Sequence, residues 1–260
     1  MKNLTEMTIK EIKEWAMSKA SFTEEEVSTL AGDTRAGVKK IHQQWEIREA
    51  KNQAILLDHE RMLSYEKDLW NQGIFHIAGI DEVGRGTLAG PVVAAAVILP
   101  TDVEILGLTD SKKLSAAKRE MYFDVIKEKA IAYGIGEASS VEIDALNIYQ
   151  ATKLAMEMAV KNMDIPADYL LVDAMTLPMD IPQRSIIQGD ANSLSIAAAS
   201  VLAKVSRDRT MKKYAAMYPA YKFENNAGYG TKDHMDALDE FGPTPIHRMS
   251  FTPVFQSVKK

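Results

Sequence analysis

The sequence predicts an α/β fold, a mixed sheet flanked by helices, preceded by an N-terminal helical extension. The first 72 residues hold no proline and only Gly32 and Gly37, a composition that leaves helices uninterrupted. From residue 74 short apolar, β-rich runs alternate with helical segments, as an α/β domain requires. The first two of these runs stand only about ten residues apart, too close for a parallel crossover, so they pair antiparallel while the later, helix-separated strands run parallel.

Within the extension, Thr8 with Glu11 and Thr23 with Glu26 have the spacing of capping boxes and mark two helix starts. After Asp33, Val38, Ile41, Trp45, Leu56, Leu63 and Leu69 are strung through a charge-laced stretch ending at Gly73, which predicts one long helix. Lys39, Lys40, Arg48, Lys51 and Arg61 are interleaved there with Glu46, Glu49, Asp58 and Glu60, the pattern of a solvated face rather than of a phosphate-binding one. The domain boundary falls near residue 73, giving an extension over 1–72 and a main domain over 73–260. In the main domain the strands are FHIAGI, PVVAAAVIL, YGIGEAS, YLLVD and RSIIQ, and helices cover 115–130, 143–163, 193–217 and 231–240.

Composition narrows the function classes. The chain has no cysteine, which excludes disulfides, thiolate nucleophiles and cysteine zinc sites and fits a reducing, cytoplasmic setting. Its N-terminus has no continuous apolar core of a secretory signal, and PVVAAAVILP, closed by proline at both ends, is far shorter than the roughly 20 residues of a spanning helix. No membrane association is expected. A net charge of −5 argues against nucleic-acid binding through global charge, although KVSRDRTMKK, residues 204–213, forms a local basic strip.

Asp81 and Glu82 follow an apolar strand, Asp173 ends another, and Asp190 follows a third strand and a glycine. Ligands of open α/β sheets sit beyond strand ends, so acids delivered there converge on one site. Clustered carboxylates repel, and a divalent cation relieves the repulsion; an all-oxygen donor set favours Mg²⁺ or Mn²⁺. Taken singly, each acid also fits a turn residue, and Asp190 fits the N-cap of the helix after it.

The stretches GIDEVGRGTLAGPVVAAAV, TDSKKLS, NIYQATKLAM, LLVDA, GDANSLSIAAASVLAKVSRDRTM, GYGTKDH and PIHRMSF occur in an order that resembles ribonuclease HII, the bacterial type 2 ribonuclease H, over about residues 74–256. The resemblance implies a ribonuclease H-like domain whose acidic quartet is Asp81, Glu82, Asp173 and Asp190. Asp208 competes for the fourth place, but Lys204 and Lys212 lie four residues to either side, as in a helix-surface ion pair. It further implies Mg²⁺ or Mn²⁺ as cofactor, and cleavage of RNA in RNA-DNA hybrids and of duplex DNA containing ribonucleotides, with 3′-hydroxyl and 5′-phosphate products.

The same resemblance puts Gly84, Arg85 and Gly86 against the ribonucleotide 2′-hydroxyl and Tyr229 against the sugar at the junction. Ser111, Lys112 and Lys113 are expected on phosphates, and Lys204, Arg207 and Arg209 are weaker candidates for the same role. The histidines, His42, His59, His76, His234 and His247, are scattered and read as structural or peripheral. A monomer is the expected state. Two rivals remain at this point: a ribonuclease HIII-like nuclease, from which the GRG stretch departs, and a non-catalytic hybrid-binding protein, which has no need of the carboxylates.

Overall fold

The computed structural model describes residues 4–19 and 21–258 and divides into two compact units, Met1–Asp58 and His59–Lys260. The first is helical, with α1 (Ile9–Ser18), α2 (Glu24–Ala31) and most of α3 (Ala36–Met62). Both capping boxes form: the hydroxyls of Thr8 and Thr23 accept from the N–H groups of Glu11 and Glu26, whose carboxylates accept in return. Ile12, Leu30 and Val38 make a small core, flanked by a stack in which the Phe22 ring lies 4.8 Å from Trp15 and 5.2 Å from Trp45. Lys39, Lys40, Glu46, Arg48 and Lys51 are exposed, as a solvated face requires.

The single long helix expected up to Gly73 is two. α3 stops at Met62 and α4 (Ser64–Trp70) restarts after Leu63, whose backbone turns at φ −85°, ψ 0°. Consecutive residues of a straight helix point about 100° apart, and here Met62 and Leu63 both enter the same core. The break lets both do so.

The second unit is built on a five-stranded sheet in the order β3-β2-β1-β4-β5. β1 (Ile77–Val83) and β2 (Val92–Ile98) pair antiparallel, β2 with β3 (Ala132–Ala138) likewise, while β4 (Tyr169–Asp173) and β5 (Gln183–Ile186) join in parallel. Both faces are covered, which explains why β2 is apolar throughout rather than alternating. Ala95 and Val97 pack on the side of α5 (Ala116–Lys129) and the long helix Leu194–Met217, and Ala94, Ala96 and Ile98 on the side of Ile148–Lys161.

The helix expected over 143–163 is also split, into α6 (Ser140–Leu146) and α7 (Ile148–Lys161). Asn147 causes the break: its φ is 70° and its side-chain oxygen caps α7 by accepting from Tyr149 and Gln150 N–H. The chain then runs through a short helix α8 (Gly189–Asn192), α9 (Leu194–Met217), α10 (Phe223–Asn226), α11 (Lys232–Phe241) and α12 (Thr252–Ser257).

α9 carries the small-residue run SIAAASVLA and comes so close to β1 that a Cβ on Gly79 would overlap the Ser195–Ile196 backbone. Ser193, not Asp190, is its N-cap. Behind that cap sits the buried Glu66 of α4, whose Oε1 accepts from Ser193 Oγ at 2.6 Å, Ser195 N at 3.0 Å and Ser195 Oγ at 2.6 Å. A carboxylate at a helix N-terminus is favoured by both the free N–H groups and the dipole.

Candidate active site

β1 does not stop before its acids but continues through Asp81 and Glu82 to Val83. Alternation sends Ala78 and Ile80 to the α7 face and Asp81 to the α9 face, where it is buried. Ile80 is in register with Val172 on the parallel neighbour β4, so the next residue of each strand, Asp81 and Asp173, fall side by side. Glu82 has the opposite parity, and its longer side chain still brings a carboxylate oxygen to the pair. One oxygen from each of Asp81, Glu82 and Asp173 lies within 4.8 Å of the others.

Burial, followed by the charges of Glu82 and Asp173, raises the Asp81 pKa well above the ordinary carboxylate range. Burial also raises Glu82, against the opposing charge of Arg85, whose Nη1 lies 3.5 Å from Oε1. Asp173 is raised chiefly by burial, opposed by the Gly189 N–H, which donates to Oδ1 at 2.6 Å. The group thus consists of oxygen donors that resist ionising together. This is the donor chemistry of a hard divalent cation site.

Asp190, on α8, lies beside this triad. Burial and then the charges of Asp110 and Asp173 raise its pKa, and Lys112 Nζ is 3.7 Å from its Oδ2. Burial opposes the charge on Lys112, but Asp190, Asp110, Asp81 and Asp173 together outweigh it and raise its pKa. Asp110 is not among the acids expected from the sequence; its carboxylate accepts from Lys112 N–H at 2.9 Å. Asp208 is held by Lys204 Nζ at 2.7 Å, the ion pair its helical spacing predicted.

Two phosphate-contact expectations need correction. Arg207 is fully buried and spends its guanidinium on Pro91 O, Ala227 O, Thr87 Oγ1 and Ala89 O. Ser111 is buried as well: its Oγ lies 2.9 Å from Ser200 Oγ, and Ser200 in turn hydrogen-bonds Asp81, so Ser111 braces an acid instead of facing solvent. Both point inward, Arg207 from α9, which packs on the sheet, and Ser111 from the short turn packed on α9. Lys112 and Lys113 are exposed, whereas Arg209 is paired with Glu120 at 2.5 Å.

The GRG turn follows β1 directly. Gly84 has φ +94°, and a Cβ there would overlap Arg207 Nε, so glycine is required. Arg85 and Gly86 are exposed, and neither N–H has a partner among the described residues. Leu88 N–H donates to Gly228 O at 2.8 Å, which ties this turn to the segment bearing Tyr229, a residue 45% exposed. His234 and His247 are buried against each other. Arg248, which the sequence reading did not single out within PIHRMSF, is buried beneath the GRG turn.

A half-antiparallel, half-parallel sheet that gathers acids at the ends of β1 and β4 defines the class of ribonuclease H-like proteins. In agreement, the structure aligns with the ribonuclease H2 of Pyrococcus horikoshii OT3 at a TM-score of 0.62 and 23% identity, covering 70% of this chain and 97% of that one. The family profile described as Ribonuclease HII matches residues 78–254, and that described as Ribonuclease HII N-terminal domain matches residues 8–70.

Ribonuclease HII of Bacillus subtilis (strain 168) is 51% identical over 248 residues, 95% of this chain and 97% of that protein. Ribonuclease HII of Enterococcus faecalis (strain ATCC 700802 / V583) is 51% identical over 247 residues, again 95% and 97%. The chain therefore belongs to the ribonuclease HII family and is a ribonuclease H endonuclease. No helix of the described residues is long and apolar enough to cross a membrane.

Proposed function

We infer that the protein hydrolyses the RNA strand of RNA-DNA hybrids and cuts on the 5′ side of ribonucleotides embedded in duplex DNA, leaving 3′-hydroxyl and 5′-phosphate ends. The observation that carries this reading is the acid triad Asp81, Glu82 and Asp173 set next to a turn whose Arg85 and Gly86 N–H groups are exposed and free.

Asp81, Glu82, Asp173 and Asp190 are the residues that would hold Mg²⁺ or Mn²⁺. Bound there, two such ions would supply water activation and stabilisation of the charge on the departing 3′ oxygen. The chain's own groups do the rest. The Arg85 and Gly86 N–H groups offer donors to the ribose 2′-hydroxyl, which distinguishes RNA from DNA. The half-exposed ring of Tyr229 offers a flat apolar surface to the adjoining sugar. Lys112 and Lys113 meet phosphates, and Lys112, already poised by four acids, keeps a positive charge at the edge of the site. The protein works as a monomer on this reading, in the cytoplasm, with residues 1–72 as an accessory helical domain.

The test is cleavage of end-labelled duplexes that carry no ribonucleotide, one ribonucleotide or a full RNA strand, with Mg²⁺, Mn²⁺ or chelator. A cation-dependent cut 5′ of the single ribonucleotide, absent from the all-DNA duplex, is expected. Cleavage of the full RNA strand alone would remove the 2′-hydroxyl role given to Arg85, Gly86 and Tyr229.

A further inference from the structure

The exposed N–H pair of the GRG turn has its orientation set from below. Arg248 is 0% exposed, and its guanidinium donates only to main-chain carbonyls. Nη2 reaches Gly84 O at 2.5 Å and Gly90 O at 2.9 Å, Nη1 reaches Arg85 O at 2.8 Å, and Nε reaches Gly90 O at 3.1 Å. In a trans peptide the C=O and the following N–H point in opposite directions. Drawing the carbonyls of Gly84 and Arg85 inward therefore turns the N–H groups of Arg85 and Gly86 outward, side by side.

We propose that Arg248 is a positioning residue for ribonucleotide recognition: its fork fixes the Gly84 and Arg85 peptide planes so that two adjacent N–H donors meet the 2′-hydroxyl. This rests on the reading of the GRG turn given above. Burying a guanidinium without a carboxylate contact is costly, and the cost shows: burial and the nearby Arg207 push the Arg248 pKa down to about 9. A group retained on such terms is explained by what it orients.

The surroundings hold Arg248 as firmly as it holds the turn. Its N–H donates to Leu88 O at 2.9 Å, and Asp144 accepts from the next two N–H groups, Met249 at 2.8 Å and Ser250 at 2.9 Å. Arg207 completes the clamp. By joining Thr87 Oγ1 and Ala89 O to Ala227 O, it sets the distance between the GRG turn and the Tyr229 segment. Thr87 Oγ1 itself lies 3.1 Å from Gly84 O as a further donor.

The experiment compares binding of a duplex with one ribonucleotide and of the same all-DNA duplex, with Ca²⁺ as the only divalent cation, for the wild-type chain, Arg248→Lys and Thr87→Val. Lysine keeps the charge but cannot hold two carbonyls in a fixed fork. The wild type is expected to prefer the ribonucleotide duplex; Arg248→Lys should lower that preference by about ten-fold or more, and Thr87→Val by less. A merely structural role reduces the active fraction, which weakens both duplexes alike and leaves the ratio unmoved. An unchanged ratio in folded Arg248→Lys, or in Thr87→Val should Arg248→Lys not fold, overturns the proposal. A wild-type chain without preference removes the reading of the turn itself, and the proposal with it.

Discussion

His234 and His247 face each other through their Nε2 atoms, 2.9 Å apart, and the partners on either side leave one assignment of protons. Tyr229 O can only accept, so His234 Nδ1, 2.9 Å away, carries hydrogen. Thr244 N–H donates to His247 Nδ1 at 2.9 Å, so that nitrogen is bare and His247 Nε2–H donates to His234 Nε2. The rings around the pair, Tyr221 and Phe223, are aromatic and bring no charge.

A proton added to either imidazole sets two N–H groups against each other. Burial, then the neighbouring His234, pushes His247 down from 6.5 to about 4, and burial lowers His234. Both folded values lie below the unfolded one, so the pair's stability is present above pH 6.5 and is lost as pH falls towards about 4. Imidazole ¹⁵N spectra should show neutral His234 with hydrogen on Nδ1 and neutral His247 with hydrogen on Nε2, neither titrating near 6.5. A titration there, or the reversed tautomers, contradicts the assignment.

Gly84 and Gly86 separate stability from recognition. At Gly84 the positive φ and the Arg207 contact leave no room for a side chain, so Gly84→Ala should destabilise by about 2–4 kcal/mol. A Cβ on Gly86 meets nothing within 4 Å. Gly86→Ala should unfold as the wild type does in thermal denaturation, yet cut the embedded-ribonucleotide duplex at least about ten-fold less efficiently, because the added methyl occupies the ligand's side of the turn. Normal cleavage by Gly86→Ala sinks this account of the turn.

Much of this was legible in the sequence. YLLVD appears as β4 and residues 193–217 match α9 within one residue, because each is a periodic or apolar run with a local stop signal. The breaks at Leu63 and Asn147 were hidden: one serves a core assembled from distant segments, the other a positive φ that no periodicity announces. Asp81, Glu82 and Asp173 stood out as acids at strand ends, and the sheet brings them together. Arg207 and Arg248 were opaque. Arg207 stands in a basic run and so reads as surface, nothing beside Arg248 marks it, and only tertiary packing shows that these two turn inward.

Glu66 links α4 to α9 through three donors on one oxygen, a contact invisible to spacing. Glu66→Ala removes the acceptor shared by the Ser193 hydroxyl and the Ser195 N–H and hydroxyl at the buried N-terminus of a 24-residue helix. It should cost about 3 kcal/mol in denaturant unfolding, and a cost near zero shows that this acceptor is dispensable.

The acid group predicts opposite effects of one substitution on stability and on cation binding. Carboxyl pKa values raised in the folded state make their stability contribution complete below the unfolded values and lost as pH rises through the folded ones. At neutral pH the cation-free fold therefore carries repulsion that Asp81→Asn relieves. Without divalent cations, Asp81→Asn should melt about 2–4 °C above the wild type; equal or lower melting contradicts the repulsion.

Calorimetric titration of Mn²⁺ into the wild-type chain, Asp81→Asn, Asp190→Asn and Asp208→Asn decides whether these carboxylates hold the divalent cation. Mn²⁺ should bind the wild-type chain and Asp208→Asn alike, bind Asp190→Asn more weakly and not bind Asp81→Asn. Undiminished binding by Asp81→Asn, or its loss in Asp208→Asn alone, would place the cation elsewhere.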